Sequence, residues 1–108
     1  MNLSLILEAH KAAKTSYFRQ RLEGAQKAAR DNRTKGGSAL LSAYHFEAKL
    51  PLYRRIIECL EDGGSLRWVR EEFNGSLAQV RRAMNQRRFQ EVSGRLEVLG
   101  EIIIELSL

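Results

Sequence analysis

The sequence predicts a small all-α bundle of four or five helices with a long C-terminal helix. Apolar residues recur at three- and four-residue spacing over most of the chain, which is the period of an amphipathic helix. Pro51 is the only proline, so long helices are permitted almost everywhere. The chain has 108 residues, the length of one domain, and we expect a single helical domain over residues 1–108.

The first segment, from Asn2 to about Arg30, is predicted to form a long helix. Residues 31–37 then form a polar stop that closes with a Gly-Gly turn signal. The basic side chains of this segment spread around the helix, so a solvated face is preferred to a binding face. The apolar positions at helical spacing are Leu3, Ile6, Leu7, His10, Ala13, Tyr17 and Phe18.

The second segment is predicted to begin with Ser38 as an N-cap and to end at Gly63-Gly64. Pro51 is expected to kink or restart this helix, because the residue before a proline is biased away from helical dihedrals. Its second half carries the strongest short core signal of the chain, an i, i+3, i+4, i+7 stripe. The stripe consists of Tyr53, Ile56, Ile57 and Leu60.

The tail has a heptad-like seam of apolar residues, which predicts the long last helix. A strand is the alternative from about residue 96 onwards, because apolar residues also alternate at the end of the chain. Helix is preferred, since no other long segment has the alternation of a pairing strand. The seam is made of Phe89, Val92, Leu96, Leu99, Ile103 and Leu106.

Between these segments, residues 66–85 are predicted to form two short helices around a tight turn at Asn74-Gly75. Ser65 would cap the first helix and Ser76 the second, and the second helix is rich in arginine. The arrangement resembles a helix-turn-helix DNA-binding motif over Leu66 to Asn85. Arg70 stands where the motif usually has a small residue.

The resemblance implies that the second short helix reads duplex DNA, with arginine suited to guanine and glutamine or asparagine to adenine. An ordinary helical hairpin with serine caps and a basic solvated face is the alternative. The residues that the resemblance places against nucleic acid are Ser76, Ala78, Gln79, Arg81, Arg82 and Asn85.

Charge points to an anionic partner. Eighteen Lys and Arg stand against thirteen Asp and Glu, which leaves +5 at neutral pH. We therefore expect a small basic DNA-binding protein, a transcriptional or accessory regulator. The alternatives are a helical protein–protein interaction module that docks an acidic protein, and a structural homo-oligomer with no nucleic-acid role.

The apolar seam predicts a homodimer, because it is wider than one neighbouring helix normally covers. Glu97, Glu101 and Glu105 share one face of the same helix and would repel each other in a parallel pair. An antiparallel arrangement, or docking on a partner's arginines, would relieve that repulsion. The alternative is that the seam packs on residues 3–18 of its own chain.

Enzymatic chemistry is not expected. His10 and His45 lie in separate helices, and no metal-protease, phosphate-loop or nucleophile-elbow motif occurs, so no catalytic residue, metal or cofactor is predicted. Cys59 is alone, which excludes an intramolecular disulfide and suits a reducing cytoplasm. No apolar run approaches the roughly twenty residues that a membrane span needs.

Overall fold

The computed structural model describes residues 3–82 and 84–108, and these residues form four α-helices and no strand. The helices are α1 (Leu3–Lys35), α2 (Ala39–Asp62), α3 (Arg67–Val80) and α4 (Gln86–Leu106). The all-α class is confirmed. The last helix has 21 residues and is shorter than α1, which has 33, and α2, which has 24.

Helix α2 packs against α1 and α4, and α4 also packs against α3. Ion pairs of Lys14 with Glu105 and of Arg21 with Glu101 connect α1 with α4 as well. Helix α1 is antiparallel to α2, α2 is parallel to α4, and α3 is antiparallel to α4. Side chains that pair across the helices define these directions. They are Arg19–Glu61 and Arg33–Glu47, Lys49–Glu97 and Tyr53–Glu101, and Gln79–Arg88 and Glu72–Arg95.

The core draws on all four helices. The stripe predicted in α2 is confirmed, since Tyr53, Ile56 and Ile57 are buried and Leu60 packs against them. They meet side chains from the three other helices, and removal of this apolar surface from water is the main favourable contribution to folding. The contributing side chains are Phe18 and Ala25 from α1, Val69 from α3, and Val98, Leu99 and Ile102 from α4.

Helix α1 is longer than predicted, and its predicted apolar stripe is confirmed only at Tyr17 and Phe18, which pack in the core. It continues to Lys35 and ends where Gly36 and Gly37 adopt positive φ angles of 69° and 56°. Its buried positions are Thr15, Phe18, Ala25 and Ala29. Among the predicted apolar positions, Leu7, His10 and Ala13 are exposed. Asn2 and the side chains of Leu3 and Ile6 lie outside the described residues.

The structure corrects the predicted N-cap of α2 and the predicted restart of the helix at Pro51. Ser38 has helical dihedrals, and its side chain makes no capping hydrogen bond, so the first turn of α2 is not held by this residue. Pro51 lies inside an uninterrupted helix, so the chain neither stops nor restarts there. Packing of Leu52 and Tyr53 in the core offsets the hydrogen bond that a proline removes.

The turn predicted at Asn74-Gly75 is wrong. Helix α3 runs without a break through both residues and through Ser76, which is 3% exposed in its interior and therefore caps nothing. The reason is tertiary: Val69, Phe73 and Ser76 lie on one face of α3 and pack toward α4, which outweighs the local turn signal. Among the described residues of 76–85, no separate second helix begins after the predicted turn.

The continuity of α3 predicts that Gly75→Ala raises the free energy of unfolding by about 0.5–1 kcal/mol, because glycine is a poor helix former. A Cβ added at Gly75 meets no atom within 4 Å. Thermal unfolding followed through Trp68 fluorescence measures the change. Gly63→Ala is the control and should lower stability, since Gly63 has a φ of 72°. A loss of stability in both variants would instead indicate a left-handed turn at Gly75.

Helix α4 confirms the helical prediction for the tail and corrects the predicted dimer seam. Val92 and Leu99 are fully buried within their own chain. Leu96, Ile103 and Leu106 are partly buried, and Phe89 is exposed. The seam is therefore an intramolecular packing surface over most of its length. Association of two copies stays a prediction, and it would need a surface other than these buried positions.

The acidic face of α4 is neutralised within the chain. Glu105 pairs with Lys14 at 3.1 Å, and Glu97 pairs with Lys49 at 2.7 Å. The remaining acid, Glu101, accepts two hydrogen bonds from the guanidinium of an α1 arginine and one from the Tyr53 hydroxyl. The repulsion expected among the three glutamates is thus relieved by cations of α1 and α2.

Candidate functional site

Six of the thirteen carboxylates of the chain join helices through ion pairs. Glu47 and Glu61 of α2 bind arginines of α1, and Glu72 of α3 binds Arg55 of α2 and Arg95 of α4. The three glutamates of the α4 face bind cations of α1 and α2 in the same way. These ion pairs neutralise many of the basic side chains of α1 and α2. Positive charge therefore remains mainly where arginines have no such carboxylate partner nearby.

One such excess of positive charge lies where α3 ends and α4 begins. Arg81 and Arg82 are exposed in the connection after α3, and neither forms an ion pair with a carboxylate of the described residues. Arg87 and Arg88 lie in the first turn of α4, and both approach Glu91 only loosely, at 3.9 and 4.0 Å. We call Arg81, Arg82, Arg87 and Arg88 the arginine cluster.

The base of the arginine cluster is held in place by hydrogen bonds. The side chain of Asn85 caps α4 by accepting from the Arg88 amide at 2.8 Å. The carbonyl oxygen of the Gln79 side chain accepts from the Arg88 guanidinium at 3.4 Å, which joins α3 to α4. Part of the side-chain ordering that binding requires is therefore already present in the free protein.

Tyr44 of α2 lies beside the arginine cluster. The Arg87 guanidinium lies over its ring at 4.4 Å from the centroid, a cation–π geometry. On the α1 side, Arg33 donates two hydrogen bonds of 2.6 Å to Glu47. These bonds hold the pKa of Glu47 below its ordinary value despite partial burial, with the charges of Arg33 and Arg87 acting in the same direction. Glu47 is thus ionised but bound to Arg33.

An open groove of about 330 Å³ lies beside the arginine cluster, and we call it the Phe89 groove. Apolar side chains line most of its wall, and Phe89 is 46% exposed there. The groove is lined by Leu41, Arg82, Met84, Gln86, Phe89 and Gln90.

The residues predicted to bind nucleic acid are separated by the structure. Ser76 is buried, Gln79 bonds to Arg88, and Asn85 caps α4, so these three have structural partners. Ala78, Arg81 and Arg82 are exposed, but the two arginines follow the end of α3 and do not lie on a helical face. Only Arg81 and Arg82 therefore remain as candidates for direct ligand contact.

The sequence did not show which residues lie beside Arg81 and Arg82 in the folded protein. Arg87 and Arg88 were visible as part of a basic segment, but nothing local connects them with residues 41–44 of α2. The side-by-side start of α2 and α4 brings Leu41 and Tyr44 to them, and this depends on parallel packing that the sequence does not encode locally. Phe89 was assigned to the seam because its spacing fits, although it lies at the exposed end.

His45 and Cys59 have partners within the fold. His45 contacts Glu97 of α4, and Cys59 is a half-buried thiol near the end of α2. In the described part of the chain, no three His, Cys, Asp or Glu side chains lie close enough to hold a metal ion. Of the helices described, none has the length and apolar character needed to cross a membrane.

The chain matches no protein-family model, no curated protein and no solved structure. Its function is therefore argued from its own geometry.

Proposed function

We propose that the protein is a helical protein-interaction module whose arginine cluster docks an acidic segment of a partner protein. The observation that carries the proposal is the concentration of arginines with few opposing acids at the α3–α4 connection. Elsewhere six glutamates are committed to interhelical ion pairs. Arginine suits this role, because its planar guanidinium binds carboxylates through two parallel hydrogen bonds. The lone Cys59 suits action in a reducing cytoplasm.

Duplex DNA is the second candidate partner, and exposed Arg81 and Arg82 favour it. A DNA-reading helix places its N-terminal residues in the major groove. Here α3 passes through Ser76 without a break and ends before both arginines, so no separate recognition helix presents them. The continuity of α3 therefore supports docking of an acidic protein more than reading of base pairs.

The test is a charge reversal at two positions with a charge-matched control. Arg81→Glu/Arg82→Glu is expected to weaken binding of a labelled poly-glutamate peptide at least tenfold at moderate salt, because two attractive contacts become repulsive. Arg54→Glu/Arg67→Glu changes net charge equally and also reverses two exposed arginines, which form no ion pair with the described residues. This control should bind nearly as well as the parent protein. Fluorescence anisotropy measures both.

Duplex DNA is titrated in parallel over a range of salt concentrations. Binding to DNA through phosphates weakens steeply and linearly in log–log form as salt rises. If the parent binds duplex DNA more tightly than poly-glutamate, and Arg81→Glu/Arg82→Glu loses this binding, the partner is DNA and not an acidic protein. Equal losses in both double variants would show that net charge, and not this surface, attracts the peptide.

A further inference from the structure

The arginine cluster and the Phe89 groove share one residue, Arg82, so the two surfaces are adjacent. A purely electrostatic surface would need no apolar recess. Here a recess with half-buried Leu41 and Met84 and exposed Phe89 opens directly beside the arginines. A ligand that contacts the cluster therefore lies within reach of the groove.

We infer that the Phe89 groove receives one large apolar side chain from an acidic segment of the partner, so that the ligand is an acidic peptide with a central leucine, methionine or phenylalanine. This inference rests on the proposed function and adds the chemistry of the ligand to it. The side chain enters between Leu41, Met84 and Phe89, and carboxylates on either side reach Arg82 and the remaining arginines of the cluster.

The size and lining of the groove support a side chain as its occupant. Clefts that hold drug-sized ligands measure about 300–1,000 Å³, and the groove is at the lower end of that range at about 330 Å³. It has no buried charged group to hold a polar cofactor. Its rim is polar at Gln86 and Gln90, which suits hydrogen bonds to the main chain of an entering peptide.

Charge complementarity selects an acidic peptide over a neutral one. Arg82 stands at the groove itself, while Arg87 is held over Tyr44 and Arg88 is held by Gln79. A purely apolar peptide would bring no carboxylate to these arginines. A uniformly acidic peptide would leave Phe89 exposed to water. The combination of an apolar anchor with flanking acids matches both surfaces together.

The experiment uses two labelled nine-residue peptides of glutamates, one with a central leucine and one with a central serine, of equal charge. The parent protein should bind the leucine peptide at least tenfold more tightly, since burial of a leucine side chain is worth about 1.5–3 kcal/mol and 1.4 kcal/mol is a factor of ten. Phe89→Ala should bind both peptides as the parent binds the serine peptide. Ile104→Ala is the matched control on α4, because Ile104 is 79% exposed outside the groove.

The outcomes separate the two levels of the proposal. Equal binding of both peptides by the parent would overturn the groove assignment and leave the acidic partner in place. Binding of neither peptide would overturn the proposed function as well. Tighter binding of a single-stranded oligonucleotide with the same dependence on Phe89 would show that a base stacks in the groove, and would overturn the peptide assignment. Thermal unfolding of Phe89→Ala checks that the variant is folded.

Discussion

Gly94→Ala is expected to lower the free energy of unfolding by about 2–3 kcal/mol, although alanine is the better helix former by about 1 kcal/mol. Gly94 is buried where α4 crosses α2. A Cβ added there would lie 2.2 Å from the His45 carbonyl oxygen and 3.2 Å from its carbonyl carbon. Both are main-chain atoms, so no side-chain rotation relieves the overlap, and α2 and α4 must move apart.

Gly100→Ala is the matched control on the same helix. An added Cβ there meets the Phe73 ring at 3.8 Å, which is ordinary van der Waals contact. This variant should gain about 0.5–1 kcal/mol from helix propensity. Urea unfolding of both variants measures the difference. Equal stabilisation by both substitutions would contradict the close approach of α2 and α4.

Leu99→Glu is expected to unfold the protein. Leu99 is 0% exposed, and a carboxylate placed there would be buried without a cation to pair with it, at a cost of several kcal/mol. The total stability of a small domain is about 5–15 kcal/mol, so this cost removes much of it. Circular dichroism and sedimentation velocity report folding and association together. Leu99→Ala is the milder variant and should lose about 2–5 kcal/mol while remaining folded.

The control is Ile104→Glu, which introduces the same charge five residues further along α4 at a position that is 79% exposed. It should leave stability nearly unchanged. A parent dimer that Leu99→Glu converts into a folded monomer would contradict the intramolecular seam, because the side chain would then serve an interface between copies. An unfolded Leu99→Glu beside a monomeric parent agrees with the burial described above.

The sequence predicted the helical segments well where glycines end them. Gly36-Gly37 and Gly63-Gly64 were recognised as breaks, and three of these four glycines have positive φ angles. Such conformations favour glycine for steric reasons that are local, so a local signal suffices. The stripe of Tyr53, Ile56 and Ile57 was recognised for a similar reason, since its spacing fits one face of one helix.

The turn at Asn74-Gly75 was predicted wrongly because the local sequence signal for a turn does not show how this segment packs against the rest of the chain. Asn-Gly pairs favour turns in isolation, but α3 gains more by keeping Val69, Phe73 and Ser76 on one face toward α4. Nothing within residues 66–85 shows that α4 lies there. The resemblance to a helix-turn-helix motif depended on that turn. Without the turn, α3 is one helix and does not divide into the two helices of the motif.

Half of the candidate site was predictable and half was not. The richness in arginine after residue 65 is a property of composition, and the resemblance to a helix-turn-helix motif singled out Arg81 and Arg82. The groove is formed by packing of separate segments. Leu41 belongs to α2, whereas Met84 lies just before α4 and Phe89 lies within it. Their meeting depends on the parallel arrangement of α2 and α4.

The most direct test of the central claim is an NMR titration that locates the ligand on the folded protein. The amide resonances of the parent are followed while the glutamate peptide with a central leucine is added. The largest shifts are expected on the arginine cluster and on Leu41 and Phe89, while the resonances of Arg67 and Ile104 should stay unchanged. Shifts centred on the α1–α2 face around Arg54, or spread evenly over all exposed basic residues, would contradict the proposal.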